Sequence, residues 1–61
     1  MHAIEITNDL MMVLDDDGNG YDCHMLSSLA EAQNQLDKWK DEYSFDYEEA
    51  RVAITEFFAA Q

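Results

Sequence analysis

Asp41-Glu42-Tyr43-Ser44-Phe45-Asp46-Tyr47-Glu48-Glu49 decides how this chain folds. One helical pattern stops inside it and another begins. Upstream, Leu29, Ala32, Leu36, Trp39 and Tyr43 recur at steps of three and four, the spacing of one apolar stripe on a helix. Ser28 and Glu31 have the spacing of a capping box, so a first helix is expected from about Leu29 to Tyr43. Downstream, Asp46 and Glu49 repeat that spacing, with Phe45 and Ala50 placed as a hydrophobic staple. Tyr47, Ala50, Ile54, Phe57 and Phe58 make a second stripe. A connection this short predicts an antiparallel helical hairpin.

Two apolar stripes need a shared cover, and the first half of the chain can supply it. Ala3-Ile4-Glu5-Ile6-Thr7 alternates and contains β-branched residues, predicting a strand with Ile4 and Ile6 inward. Asn8-Asp9 suits a tight turn. Leu10-Met11-Met12-Val13-Leu14 is short and continuously apolar, as expected of a central strand buried on both faces, although so short a run also permits a helix. Asp15 to Gly20 is rich in turn residues. Tyr21 to Met25 alternates again, predicting Tyr21, Cys23 and Met25 inward. The expected fold is α+β, a three-stranded antiparallel meander followed by two helices, with residues 1–61 forming one domain.

At 61 residues the chain is near the lower limit for folding alone. Cys23 is its only cysteine, so no intramolecular disulfide can brace it, and a single thiol suits a reducing cytoplasm. No basic start followed by an apolar run marks a signal peptide, and no apolar stretch approaches the roughly 20 residues of a membrane span. Fourteen acidic residues against three basic ones give a formal charge of −11, while 48% of the chain is hydrophobic. That apolar fraction predicts a packed core despite the charge. The charge opposes direct binding to DNA, RNA or an anionic membrane, since phosphate recognition relies on Lys and Arg. It favours a basic protein or cations as partner.

Three groups of residues are candidates for chemistry. Asp15-Asp16-Asp17-Gly18-Asn19-Gly20 resembles the first half of an EF-hand calcium loop, with Asp15, Asp17 and Asn19 as oxygen ligands and Gly20 at the sixth position. The resemblance ends there, because Asp22 stands at the aliphatic eighth position and Leu26 at the bidentate twelfth. The expected role is a hairpin turn, with weak calcium binding as the alternative. Cys23 and His24 are adjacent on a strand, so they face opposite ways and cannot share a reaction or a metal; a buried Cys23 and a solvent-facing His24 are expected. No glycine-rich phosphate loop, nucleophile elbow or tuned carboxylate pair in a cleft is recognisable, so neither an enzyme nor a cofactor is expected.

The acidic corner is the third group. Asp46, Glu48 and Glu49 suit the positive end of the second helix dipole. Asp41 and Glu42 fall in the last turn of the first helix, where an anion is unfavourable by about 0.3–1 kcal/mol. Asp37 and Asp41 add a like-charge i,i+4 pair, relieved in part by Lys38 within reach of Asp41 and Glu42. On a helical projection Glu48, Glu49 and Glu56 surround an outward Val52, the pattern of an apolar anchor with a charged rim. Asp37, Asp41, Glu42, Asp46, Glu48, Glu49, Val52 and Glu56 are therefore the expected partner-binding residues. The bland alternative is a solvated acidic face.

In being very short, strongly acidic and compact, the chain resembles phage-encoded DNA-mimicking anti-restriction and anti-CRISPR proteins. That resemblance implies an inhibitor whose carboxylates occupy the basic groove of a nucleic-acid-binding protein in the host cytoplasm. A second expectation, of a different class, is a structural or regulatory module that self-associates through helix aromatics as a homodimer, since Trp39, Tyr43, Phe45, Phe57 and Phe58 are much surface for a small domain to cover.

Overall fold

The computed structural model describes residues 1–61. Strands β1 (Ala3–Thr7), β2 (Leu10–Leu14) and β3 (Gly20–Met25) precede helices α1 (Leu29–Glu42) and α2 (Tyr47–Ala59). The strands form an antiparallel sheet in the order β1-β2-β3, and the helices cover one of its faces. The α+β meander with a following helical hairpin is as the sequence predicts.

β1 and β2 join through Asn8-Asp9, with Thr7 opposite Leu10. Asn8 takes a φ of 56°, and a positive φ at the first central residue is the pattern of a type II′ hairpin turn. The Asp9 carbonyl accepts from the Leu26 amide at 2.7 Å, anchoring the end of β3 to this turn.

Met11 and Val13 of β2 point under the helices and are buried with Leu26, Ala32, Leu36, Trp39, Ala50 and Ile54. Ile4, Ile6, Leu29, Tyr43, Phe45, Tyr47, Phe57 and Phe58 pack around them, half-buried. Both helical stripes thus face the core, and Trp39 is wholly covered. Leu26, which no periodic pattern marks, belongs to the same core.

Ser28 caps α1 by accepting from the Glu31 amide at 3.2 Å, and Asp46 caps α2 by accepting from the Glu49 amide at 3.0 Å. Each is half a capping box. The Glu31 carboxylate accepts from the Ser27 hydroxyl instead of returning to the cap, and the Glu49 carboxylate makes no hydrogen bond.

Two expectations about the sheet are corrected. β2 is buried on one face only, because no second layer covers Leu10, Met12 and Leu14, which remain half-exposed. The phase of β3 is also reversed: Tyr21, Cys23 and Met25, expected inward, are all exposed, Tyr21 at 55%. Leu14 pairs with Gly20 and Val13 with Asp22, leaving Tyr21 as the extra residue of a β-bulge. A bulge re-aims side chains, so Tyr21 and Asp22 both reach the helical layer. Alternation resumed from Asp22 puts His24 opposite Met11, half-buried, while Cys23 and Met25 are exposed on the open face. The expectation of a buried Cys23 and a solvent-facing His24 is therefore inverted.

Candidate functional site

α1 ends at Glu42, and the Tyr43 amide, already extended, donates to the Trp39 carbonyl at 2.7 Å. Asp41 and Glu42 are thus the last two residues of the helix, as expected. Tyr43 to Asp46 turns the chain, and Ser44 is held by donation from the His2 amide to its carbonyl at 2.6 Å. His2 packs edge-on against Tyr21 and Tyr43, with ring centres 4.9 and 5.2 Å apart. The corner that carries the acids is therefore fastened by backbone to His2, just ahead of β1, and to β3 by aromatic edges.

Three of the expected contact residues are engaged within the chain, Asp46 as the cap of α2 and Asp37 and Glu48 through side-chain partners. Asp37 accepts from the Tyr47 hydroxyl at 2.5 Å and lies 3.8 Å from the Lys40 ammonium. Lys40 also sits 4.8 Å from the centre of the Tyr47 ring, so one residue of α2 holds two of α1. Glu48 pairs with Arg51 at 3.5 Å. Lys38 forms no ion pair with Asp41 or Glu42, contrary to the expected relief; an exposed ammonium gains little from such contact over hydration.

The remaining acids are unneutralised. Ion pairs hold only Asp16, Asp37 and Glu48, which leaves eleven of the fourteen carboxylates without a bridging cation. Asp41, Glu42, Glu49 and Glu56 are exposed and accept no hydrogen bond from any side chain or amide. They border three depressions. Asp41 and Glu42 line the first with Lys40, Tyr43, Ser44 and Phe45. Asp46 and Glu49 rim the second, a cleft of about 250 Å³ walled by Ala3, Ile4 and Ala50. Val52 and Glu56 share a third with Arg51 and Thr55. Val52, at 53% exposure, points outward. Apolar walls beneath a free carboxylate are suited to the alkyl stem and charged head of a lysine or arginine side chain.

The acidic surroundings act on the tyrosines. Donation to Asp37, with burial and that carboxylate's charge, raises the Tyr47 hydroxyl above the ordinary value of 10.0. Donation to Asp15 does the same for Tyr21, and burial, aided by the charge of Asp22, for Tyr43.

The Asp15–Gly20 stretch is organised as a turn around one carboxylate. Asp15 Oδ1 accepts from the amides of Asp17 and Asn19 at 2.9 and 2.8 Å, and Oδ2 from Asn19 Nδ2 and the Tyr21 hydroxyl at 3.2 Å each. The Asn19 amide, foremost among these, lowers the Asp15 pKa. Gly18 turns the chain at a φ of +88°. The oxygens that a calcium ion would need from Asp15 are thus committed to N–H and O–H donors. No group of three or more His, Cys, Asp or Glu is placed to hold a metal ion anywhere in the chain.

Sequence reasoning missed one polar contact that positions the layers. The Trp39 indole donates to Asp22 Oδ2 at 3.2 Å, joining α1 to β3 across seventeen residues. No local signal marks it, because it depends on the bulge. The Asp37–Lys40 and Glu48–Arg51 pairs did carry a signal in their i,i+3 spacing. No helix is long and apolar enough to cross a membrane. No protein-family model, curated protein or solved structure matches the chain.

Proposed function

We propose that this protein is an acidic binding module that docks on the basic surface of a nucleic-acid-binding protein and keeps the natural polyanion out. The observation that carries this reading is the set Asp41, Glu42, Glu49 and Glu56: exposed, unpaired, and including two anions at the negative end of a helix. Asp41 and Glu42 oppose the α1 dipole and gain nothing from the fold. A partner's Arg or Lys side chains would supply what the chain lacks. Asp46, Glu48 and Val52 flank these acids, and Asp37 stands behind them as the tie to α2.

The finer form of the proposal is a DNA-mimicking inhibitor of the anti-restriction or anti-CRISPR kind. Association would be fast through electrostatic steering and would weaken as salt rises. The test is capture of purified DNA-binding nucleases by the immobilised protein, across a salt series and with competing duplex DNA. The expected result is capture that falls with salt, is displaced by DNA, and is lost in the Glu42→Lys/Glu49→Lys/Glu56→Lys variant while circular dichroism is unchanged. Capture that survives those three reversals refutes the proposed surface.

A further inference from the structure

The helices occupy one side of the sheet and leave the other bare. Ladder pairing puts Ala3, Glu5 and Thr7 of β1, Leu10, Met12 and Leu14 of β2, and Cys23 and Met25 of β3 on that open side. Six of these eight residues are apolar, and Met25 is 62% exposed. Glu5 is the only charged member; the other thirteen carboxylates lie on the strands' far side, in the loops or on the helices.

We infer that this face pairs with a second copy of the chain, sheet against sheet, in a weak dimer of four layers. Charge selects the occupant. Every other face carries acids that would meet their like in a second copy, so two chains of charge −11 approach at least expense through this nearly neutral face. A basic partner, by contrast, finds little to recognise on it.

Charge also selects the arrangement. Glu5, Met12 and Cys23 stand at one level across the sheet. A two-fold axis running along β2 lays the Leu10–Met12–Leu14 spine of one copy on that of the other. It sets Glu5 over the level of Cys23 in the second copy. An axis running across the strands would stack Glu5 on Glu5. The first arrangement avoids that repulsion and matches the aligned packing of facing sheets, about 10 Å apart.

Area fixes the strength. Three strands about 4.8 Å apart, with five residues of about 3.4 Å each, give a footprint of roughly 14 by 17 Å. That is well short of the roughly 800 Å² each partner buries in a stable dimer, so the association is weak and shows only at high protein concentration. The helical layer, with its unpaired acids, stays free on both outer sides, and the dimer would present two acidic faces at once.

Sedimentation velocity or multi-angle scattering under reductant, from about 20 µM to about 2 mM protein, tests this at low and high salt. The expected result is a mass that rises from monomer toward dimer, more so at high salt because screening relieves repulsion between the copies. That salt dependence is opposite to the one proposed for partner capture. Met25→Glu, at an exposed position of an edge strand, should hold the protein at monomer mass, as should Met12→Glu where it folds. A monomer at every concentration overturns the inference, as does a dimer that persists in folded Met25→Glu. Loss of nuclease capture in Met25→Glu without any wild-type dimer assigns the face to a foreign partner and overturns it too.

Discussion

Asp41→Lys should make this protein more stable. The residue is next to last in α1 and has no cation in contact. Removing an anion from the negative end of a helix relieves about 0.3–1 kcal/mol, and a cation there adds a similar amount. Ending the Asp37–Asp41 repulsion contributes a few tenths more. The sum is about 1–2 kcal/mol, against a total of roughly 3–9 kcal/mol for a domain of this length. At about 4–8 °C per kcal/mol for so small a domain, the melting temperature should rise by about 5–15 °C. Thermal melts followed by circular dichroism at low salt measure it directly. Glu49→Lys is the control. It changes the net charge equally but strips an acid from the favourable first turn of α2, so relief of overall repulsion is common to both variants. The difference between the two melting shifts isolates the helix-end contribution, and near 1 M salt, where the screening length is about 3 Å, it should largely vanish. Equal shifts at low salt would refute the claim that Asp41 stands against its own helix. If the acid is retained for a partner, the variant that melts higher should also capture less nuclease.

Tyr47 holds its proton more tightly folded than unfolded, because Asp37 accepts from it. Its contribution is therefore complete below the ordinary tyrosine value and fades as pH rises through the elevated folded one. Absorbance titration of the phenolates should show delayed ionisation, and Tyr47→Phe should reduce the alkaline loss of stability. Asp15 behaves in the opposite sense: its lowered pKa means its contribution is present above the unfolded carboxyl value and is lost as pH falls through the folded one. Urea denaturation between neutral and acid pH should show that loss in the wild type and a smaller one in Asp15→Asn. Asn8→Ala places a residue without an amide side chain in the left-handed region, at a cost of about 1 kcal/mol, and should lower the urea midpoint without changing the slope.

The helices were legible because their signals are local. Ser28 and Asp46 mark the starts, and the stripes through Leu36 and Ile54 mark the buried faces, each within one or two turns. β1 and β2 were legible from alternation at Ile4 and Ile6 and from the unbroken run at Leu10–Leu14. What failed was parity in β3. Alternation put Tyr21, Cys23 and Met25 inside, and all three are exposed; nothing in the local sequence announces that Tyr21 is an extra residue. The register is set by pairing with β2, and the bulge lets both Tyr21 and Asp22 reach the helical layer, where Trp39 takes Asp22. The open face stayed hidden for the same reason, since an apolar β2 reads alike whether one face is covered or both. Among the acids, sequence position placed Asp41 and Glu42 at the end of α1. It did not reveal that Asp37 is tied to Tyr47 and Lys40, because that contact crosses between helices.

A sheet of three strands leaves two rims. β1 and β3 each have a single neighbour, so half of their backbone donors and acceptors point sideways, a template on which further strands can grow. Natural sheets blunt such rims with proline or lysine, and this chain has no proline and no lysine in any strand. Beyond the short length of both rims and the bulge in β3, mutual repulsion is what keeps neighbours from stacking rim to rim. Near the isoelectric point of about 4.1 that protection disappears, and the carboxylates emerge as gatekeepers against fibril growth as well as a lure for basic surfaces.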